Sequence, residues 1–172
     1  MKLVLRVFFC MMLLTGIIYP LLITGLSQIF MPHLAGGSLI QKNGRILGSK
    51  LIAQKTTKER FFLPRPSAID YNPLHPSGGS NLGPISQKLK ETVYERQKKW
   101  GTNVPSQLLY ASGSGLDPHI SLESAYFQIP RVAKENETSE SAIRQLVDSL
   151  ADGSCYINVL ILNQALDEQS QR

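Results

Sequence analysis

The sequence has little of what most enzymes are built around. It contains two cysteines, one tryptophan and three histidines. Cys10 lies in a long apolar run and Cys155 near the C-terminus, so no intrachain disulfide framework can be drawn. His33 and His75 have no spacing that would join His119 in a metal site, which needs further ligands. No loop ends in the Gly-Lys-Ser/Thr of a nucleoside-triphosphate cradle, and no Gly-x-Ser-x-Gly nucleophile elbow occurs. Internal repeats and low-complexity tracts are also absent. The net charge of +5 falls to +3 once Lys2 and Arg6 are set aside. That balance, without a basic stripe and interleaved aromatics, gives no argument for nucleic acid.

Charge is missing altogether from one stretch, Val7 to Met31. A helix of about 25 residues rises about 37 Å, enough to cross the roughly 30 Å of a bilayer's hydrocarbon core with some tilt. Pro20, near the middle, cannot donate to the carbonyl of Gly16, so a kinked helix with a freed carbonyl is expected. Gly16, Pro20, Thr24 and Ser27 follow at spacings of four, four and three, a small-residue stripe suited to a neighbouring helix. Lys2 and Arg6 flank the near end, while His33 to Gln41 beyond it is uncharged. The positive-inside rule therefore places the N-terminus in the cytoplasm. Gly25-Leu26-Ser27 resembles a cleavage site, but the apolar run is longer than a signal peptide's, so an uncleaved anchor is expected.

The rest divides into a linker at 32–44, one soluble domain at 45–166 and a polar tail at 167–172, with a short cytoplasmic N-terminus at 1–6. Ile46-Leu47 and Leu51-Ile52 read as strands broken by Gly48. From Phe61 to Pro84 prolines and glycines exclude regular structure. Phe61, Phe62 and Tyr71 supply the material to order this long loop. Pro84 fits the start of a helix ending at Gly101. Gln107 to Ala111 reads as a short buried strand. Ser121 reads as the N-cap of a helix interrupted at Ile129-Pro130. Ile143, Leu146, Val147 and Leu150 form the apolar stripe of a third helix. Cys155 to Leu162, β-branched, reads as a central strand. The fold class is α+β: one membrane helix followed by a single mixed domain.

Two glycine-serine loops carry the candidate chemistry. Ser77, Gly78, Gly79, Ser80 and Asn81 form a candidate nucleotide-binding nest, in which glycines let backbone amides converge on an anion. Its Ser-Gly-Gly is similar to the signature loop of ABC-type transport ATPases, and the competing reading is a loop that caps its own helix. Ser112, Gly113, Ser114, Gly115, Asp117 and His119 lie in the second loop. Ser114, Asp117 and His119 offer a hydrolase reading, but close neighbours on one turn seldom converge as a triad. The alternative is a turn held by the Asp117 carboxylate accepting backbone amides.

These residues carry a family resemblance. Tyr19-Pro20 comes first, then Arg65-Pro66-Ser67-Ala68 with Tyr71-Asn72-Pro73, then Ser77 to Gly83. The eleven-residue run Ala111 to Ser121 follows, then Pro130-Arg131-Val132-Ala133, Asn158-Val159-Leu160, Leu162-Asn163 and Ala165-Leu166-Asp167. In this order the chain resembles the C subunit of the Kdp-type potassium-transporting ATPase over nearly its whole length. Ala53 and Pro64 depart from glycines usual in the family, and the segment after the third helix is shorter than in many members. The resemblance implies a non-catalytic, single-pass subunit of a bacterial inner-membrane complex with a channel-like potassium subunit and a P-type ATP-hydrolysing subunit. It implies a role in assembly and as a catalytic chaperone raising ATP affinity, with Arg65, Pro66, Ser67 and the second loop as interface or structural residues. With the N-terminus inside, both loops lie outside, away from cytoplasmic ATP.

Overall fold

The computed structural model describes residues 1–42, 44–151 and 153–169. They form two units, divided after Ser49. In the first, α1 (Lys2–Leu13), a π-helical turn (Leu14–Ile18) and α2 (Tyr19–Phe30) run on as one apolar helix of 29 residues, long enough to cross a membrane. The π turn ends two residues before Pro20. There the Tyr19 N–H donates to the Leu14 carbonyl five residues back, so the ladder widens where the proline removes a donor. The kink expected from Pro20 is thus resolved as a π bulge. Pro20, Thr24 and Ser27 share a face of α2. Gly16 lies inside the π turn. Thr24 Oγ1 donates to the Pro20 carbonyl at 2.8 Å, which keeps its proton within the helix.

Helix α3 (Pro32–Ala35) and a hairpin of β1 (Leu39–Lys42) and β2 (Arg45–Ser49) complete this unit. The stretch read as linker is therefore partly regular. Gly48 does not break a strand: it pairs with Ile40 inside β2, while Gln41 pairs with Ile46, leaving Leu47 as a bulge.

The second unit begins with a long irregular segment through Ser86, as the prolines require. Its elements are α4 (Gln87–Trp100), α5 (Ser106–Leu109), β3 (His119–Ser121), α6 (Leu122–Glu135), α7 (Glu140–Ala151), β4 (Tyr156–Asn158) and α8 (Val159–Gln169). Strands β3 and β4 pair antiparallel, Ile120 opposite Ile157. Both of these isoleucines turn into a core with Phe62, Ala125, Ile129, Val132, Ile143, Val147, Leu162 and Leu166. Burying Phe62 alone contributes about 1.5–3 kcal/mol.

Several sequence expectations need correction. The α4 helix starts at Gln87, after Ser86, whose hydroxyl accepts the Leu89 N–H; Pro84 lies in the preceding turn. Gln107 to Leu109 lies in the helical turn α5, not a strand. Helix α6, capped by Ser121 as expected, runs straight through Pro130. The segment Cys155 to Leu162 is a strand for only three residues. Asn158 ends it, because its side-chain oxygen accepts the N–H groups of Leu160 and Ile161 and opens α8. Asp167 to Gln169 belong to that helix, and Asp167 pairs with Arg60, so the polar tail begins later than 167; residues 170–172 lie outside the described residues.

Candidate functional site

The segment entering the site, Glu59 to Leu63, has no strand partner, yet all five of its carbonyls accept hydrogen bonds from side chains. Arg131 on α6 donates to Glu59 O and, at 2.9 Å, to Phe61 O. Asn136 donates to Arg60 O at 2.7 Å. Asn163 on α8 takes both polar groups of Phe62, at 2.8 Å and 2.9 Å. Gln128 on α6, fully buried, does the same for Leu63 at 2.8 Å and 3.1 Å. Two amide side chains thus stand in for neighbouring strands, since buried backbone groups must be paired. Burial lowers the pKa of Arg131, with Glu59 and Glu135 opposing the shift, and its guanidinium lies over the Trp100 ring at 5.6 Å.

That fixed strap delivers Arg65 to Tyr71 against the second glycine loop. Arg65 Nη1 donates to Asp117 Oδ2 at 3.1 Å. The other Asp117 oxygen accepts the His119 N–H at 3.0 Å, the amide-accepting turn expected from sequence. Ser112 N–H donates to the Pro66 carbonyl, and the Ser67 hydroxyl to the Gly115 carbonyl at 2.6 Å. The same Ser67 oxygen accepts the N–H groups of Ile69 and Tyr71. Tyr71 Oη closes the circuit on Arg65 O at 2.7 Å. Burial holds the Tyr71 phenol un-ionised, its pKa raised to about 12, with Arg96 lowering it and Asp70 raising it further.

The first glycine loop is the third part of this arrangement. Gly78 N–H and the Ser77 hydroxyl both donate to the Ser114 carbonyl, at 3.0 Å and 2.9 Å. Glycine is required where these backbones meet. A Cβ on Gly115 would lie 2.8 Å from Gly78 O and 2.7 Å from Ile69 Cγ1, and Gly115 also holds φ +70°. A Cβ on Gly79 would lie 3.3 Å from Gly113 O. The three segments singled out in the sequence are therefore one interlocked unit. Two donors of the candidate nucleotide nest, Ser77 and Gly78, face Ser114 rather than an open anion site. Ser80 and Asn81 are exposed beside them.

The hydrolase grouping does not assemble in these positions. Ser114 Oγ accepts the Leu116 N–H, Asp117 is shared between Arg65 and the His119 backbone, and His119 Nδ1 stands 3.7 Å from Asp117 Oδ1. Among the described residues no hydrogen bond joins Ser114 to His119, and no group of three metal-ligating side chains occurs. Ile69, Gln128 and Asn163 escaped the sequence reading as site residues. Gln128 left a usable signal: it occupies the core stripe of Ala125, Ile129 and Val132, where an amide needs a buried partner.

Comparison with known proteins agrees with the resemblance over the whole chain. A family model described as K+-transporting ATPase, c chain, matches residues 1–168. A potassium-transporting ATPase KdpC subunit of Leptospira interrogans is 44% identical over 95% of this chain and 91% of its own length. One from Methylobacterium nodulans is 43% identical over 91% of this chain and 90% of its own length. A KdpC subunit 2 of Staphylococcus aureus is 40% identical over 92% of each.

Proposed function

The chain belongs to the KdpC family, the c chain of K+-transporting ATPases, and we propose that it is a non-catalytic subunit supporting assembly of an ATP-driven potassium uptake complex. Its partners in this reading are a channel-like subunit that carries potassium and a P-type subunit that hydrolyses ATP. It crosses the bacterial inner membrane once, N-terminus in the cytoplasm and soluble unit outside. Its apolar helix, exposed along its whole length in the isolated chain, is then covered by lipid and by helices of the partners.

The observation that carries a non-catalytic role is the interlock. Hydroxyls, amides and carboxylate that could serve chemistry instead bind one another and hold three loops in one shape. As a catalytic chaperone, the subunit raises the ATP affinity of the hydrolysing subunit. Since its loops lie outside, that effect travels through the membrane subunits as a coupling free energy, without ATP touching Ser77 to Asn81.

The test compares ATPase activity of the complex purified with and without this chain, as a function of ATP concentration. A raised KM for ATP in its absence, with residual turnover at saturation, supports the reading. Unchanged ATP dependence in its absence refutes the chaperone role.

A further inference from the structure

Helix α4 brings two cations to one small cavity. Arg96 and Lys99, three residues apart on the helix, both line it, with Tyr71, Pro64, Pro66 and Trp100 forming much of the remaining wall. Its volume is about 170 Å³. That is below the roughly 300–1,000 Å³ of sites that take a cofactor or a drug-sized molecule. A nucleotide is too large for it; a single amino-acid side chain is not.

Among the described residues neither cation has a counter-ion. Arg96 is half-buried, donates from Nη1 to the Leu109 carbonyl and makes no other hydrogen bond. No ion pair joins Arg96 or Lys99 to a carboxylate. Glu91 and Glu95, on the same helix, do not line the cavity, and Asp70, next to Tyr71 in the chain, is paired with Lys55. Burial lowers the pKa of Arg96, and Tyr71 rather than any carboxylate opposes the shift. A guanidinium drawn out of water without an anion is a costly arrangement, and a guest carboxylate removes that cost. The walls are also set beforehand. Tyr71 Oη is held on Arg65 O and Arg96 on Leu109 O, so a guest finds both side chains in place.

We propose that this cavity receives an aspartate or glutamate side chain of a partner subunit, its carboxylate between Arg96 and Lys99 and its stem against Pro64, Pro66 and Trp100. This rests on the complex-subunit reading above. The two cations supply the charge complementarity. The apolar walls favour a carboxylate carried on a hydrocarbon stem over a free inorganic anion, which gains nothing from them.

The test tags this chain and measures the partner subunits recovered with it, for wild type, Arg96→Gln, Lys99→Glu and Lys98→Glu. Lys98 is exposed on the same helix and outside the cavity, so its reversal makes the same charge change elsewhere. Thermal melting of each full-length variant in detergent shows whether the fold is kept. Arg96→Gln also loses the bond to Leu109, so the exposed Lys99 carries the test if that variant melts early. Lys99→Glu is expected to recover at least about tenfold less partner, and Lys98→Glu to stay within about twofold of wild type. Equal recovery with Lys99→Glu and Lys98→Glu overturns the inference. So does a free-anion result: phosphate raises the melting temperature of wild type, but not of Arg96→Gln, above chloride of equal ionic strength, while Lys99→Glu recovers partner normally. Should the wild-type chain itself recover no partner, the complex-subunit reading fails and this inference with it.

Discussion

Asn163 hydrogen-bonds both polar groups of Phe62, 101 positions earlier in the chain, so the C-terminal helix fixes the register of the strap that leads to Arg65. Replacing Asn163 with Leu leaves that N–H and C=O unpaired beside a buried ring. Asn163→Leu is expected to lower unfolding free energy by about 2–4 kcal/mol. Gln164→Leu, one residue on, should cost about 0.5 kcal/mol or less. Urea unfolding of the two full-length variants in detergent checks the difference, and equal losses would remove the clamp's importance.

Gly115 and Gly113 separate close approach from mere flexibility. Gly115 has positive φ and backbone within 2.8 Å of where a Cβ would lie, while nothing lies within 4 Å of one on Gly113. Gly115→Ala is expected to destabilise the soluble unit by about 1–3 kcal/mol or more, through strain and separation of the loops. Gly113→Ala is expected to melt like wild type. Comparable melting of both variants would show that the loops do not need this contact.

Tyr71 should titrate late. Its folded pKa is raised from 10.0 to about 12, so the neutral phenol is favoured in the folded state. By linkage, this stabilisation is complete below about pH 10 and lost as pH rises towards 12. Phenolate absorbance of the folded chain near pH 11 should fall short of that of the unfolded chain, and Tyr71→Phe should reduce that deficit, the hydrogen bond to Asp148 raising the pKa of Tyr126 as well. A deficit undiminished by Tyr71→Phe belongs to another tyrosine.

Topology is readable through native cysteines, since Cys155 is exposed and Cys10 lies in the apolar helix. With the soluble unit outside, an impermeant thiol reagent labels intact cells, and Cys155→Ser abolishes the labelling. Labelling of Cys155 only after the cells are broken open would reverse the orientation.

Local chemistry was legible before the structure; long-range pairing was not. Ser121, Gly101 and the Ile143-Leu146-Val147 stripe placed helix ends and faces, because caps and periodicity act within a few residues. Pro130 misled, because α6 runs through it regardless, packed into the core on both sides of the proline. Val159 misled in the other direction: its β-branched neighbourhood suggests a strand, but the cap at Asn158 and the buried spacing Val159, Leu162, Leu166 select a helix. Both glycine loops and the Arg65 segment stood out individually. Nothing local announces that Gly78 bonds to Ser114, Ser67 to Gly115 or Arg65 to Asp117, because such pairings are set by the packing of distant elements.

The non-catalytic role of the interlocked loops is tested most directly by Ser114→Ala beside Asp117→Ala, measuring complex yield and ATPase activity per assembled complex. Asp117 carries Arg65 and the His119 amide, charge-assisted bonds worth about 1.5–3 kcal/mol each. Asp117→Ala should therefore lower yield, with unchanged activity per complex. Ser114→Ala, which removes a hydroxyl that accepts only the Leu116 N–H among the described residues, should leave both near wild type. A Ser114→Ala complex that assembles fully and hydrolyses no ATP would contradict the account.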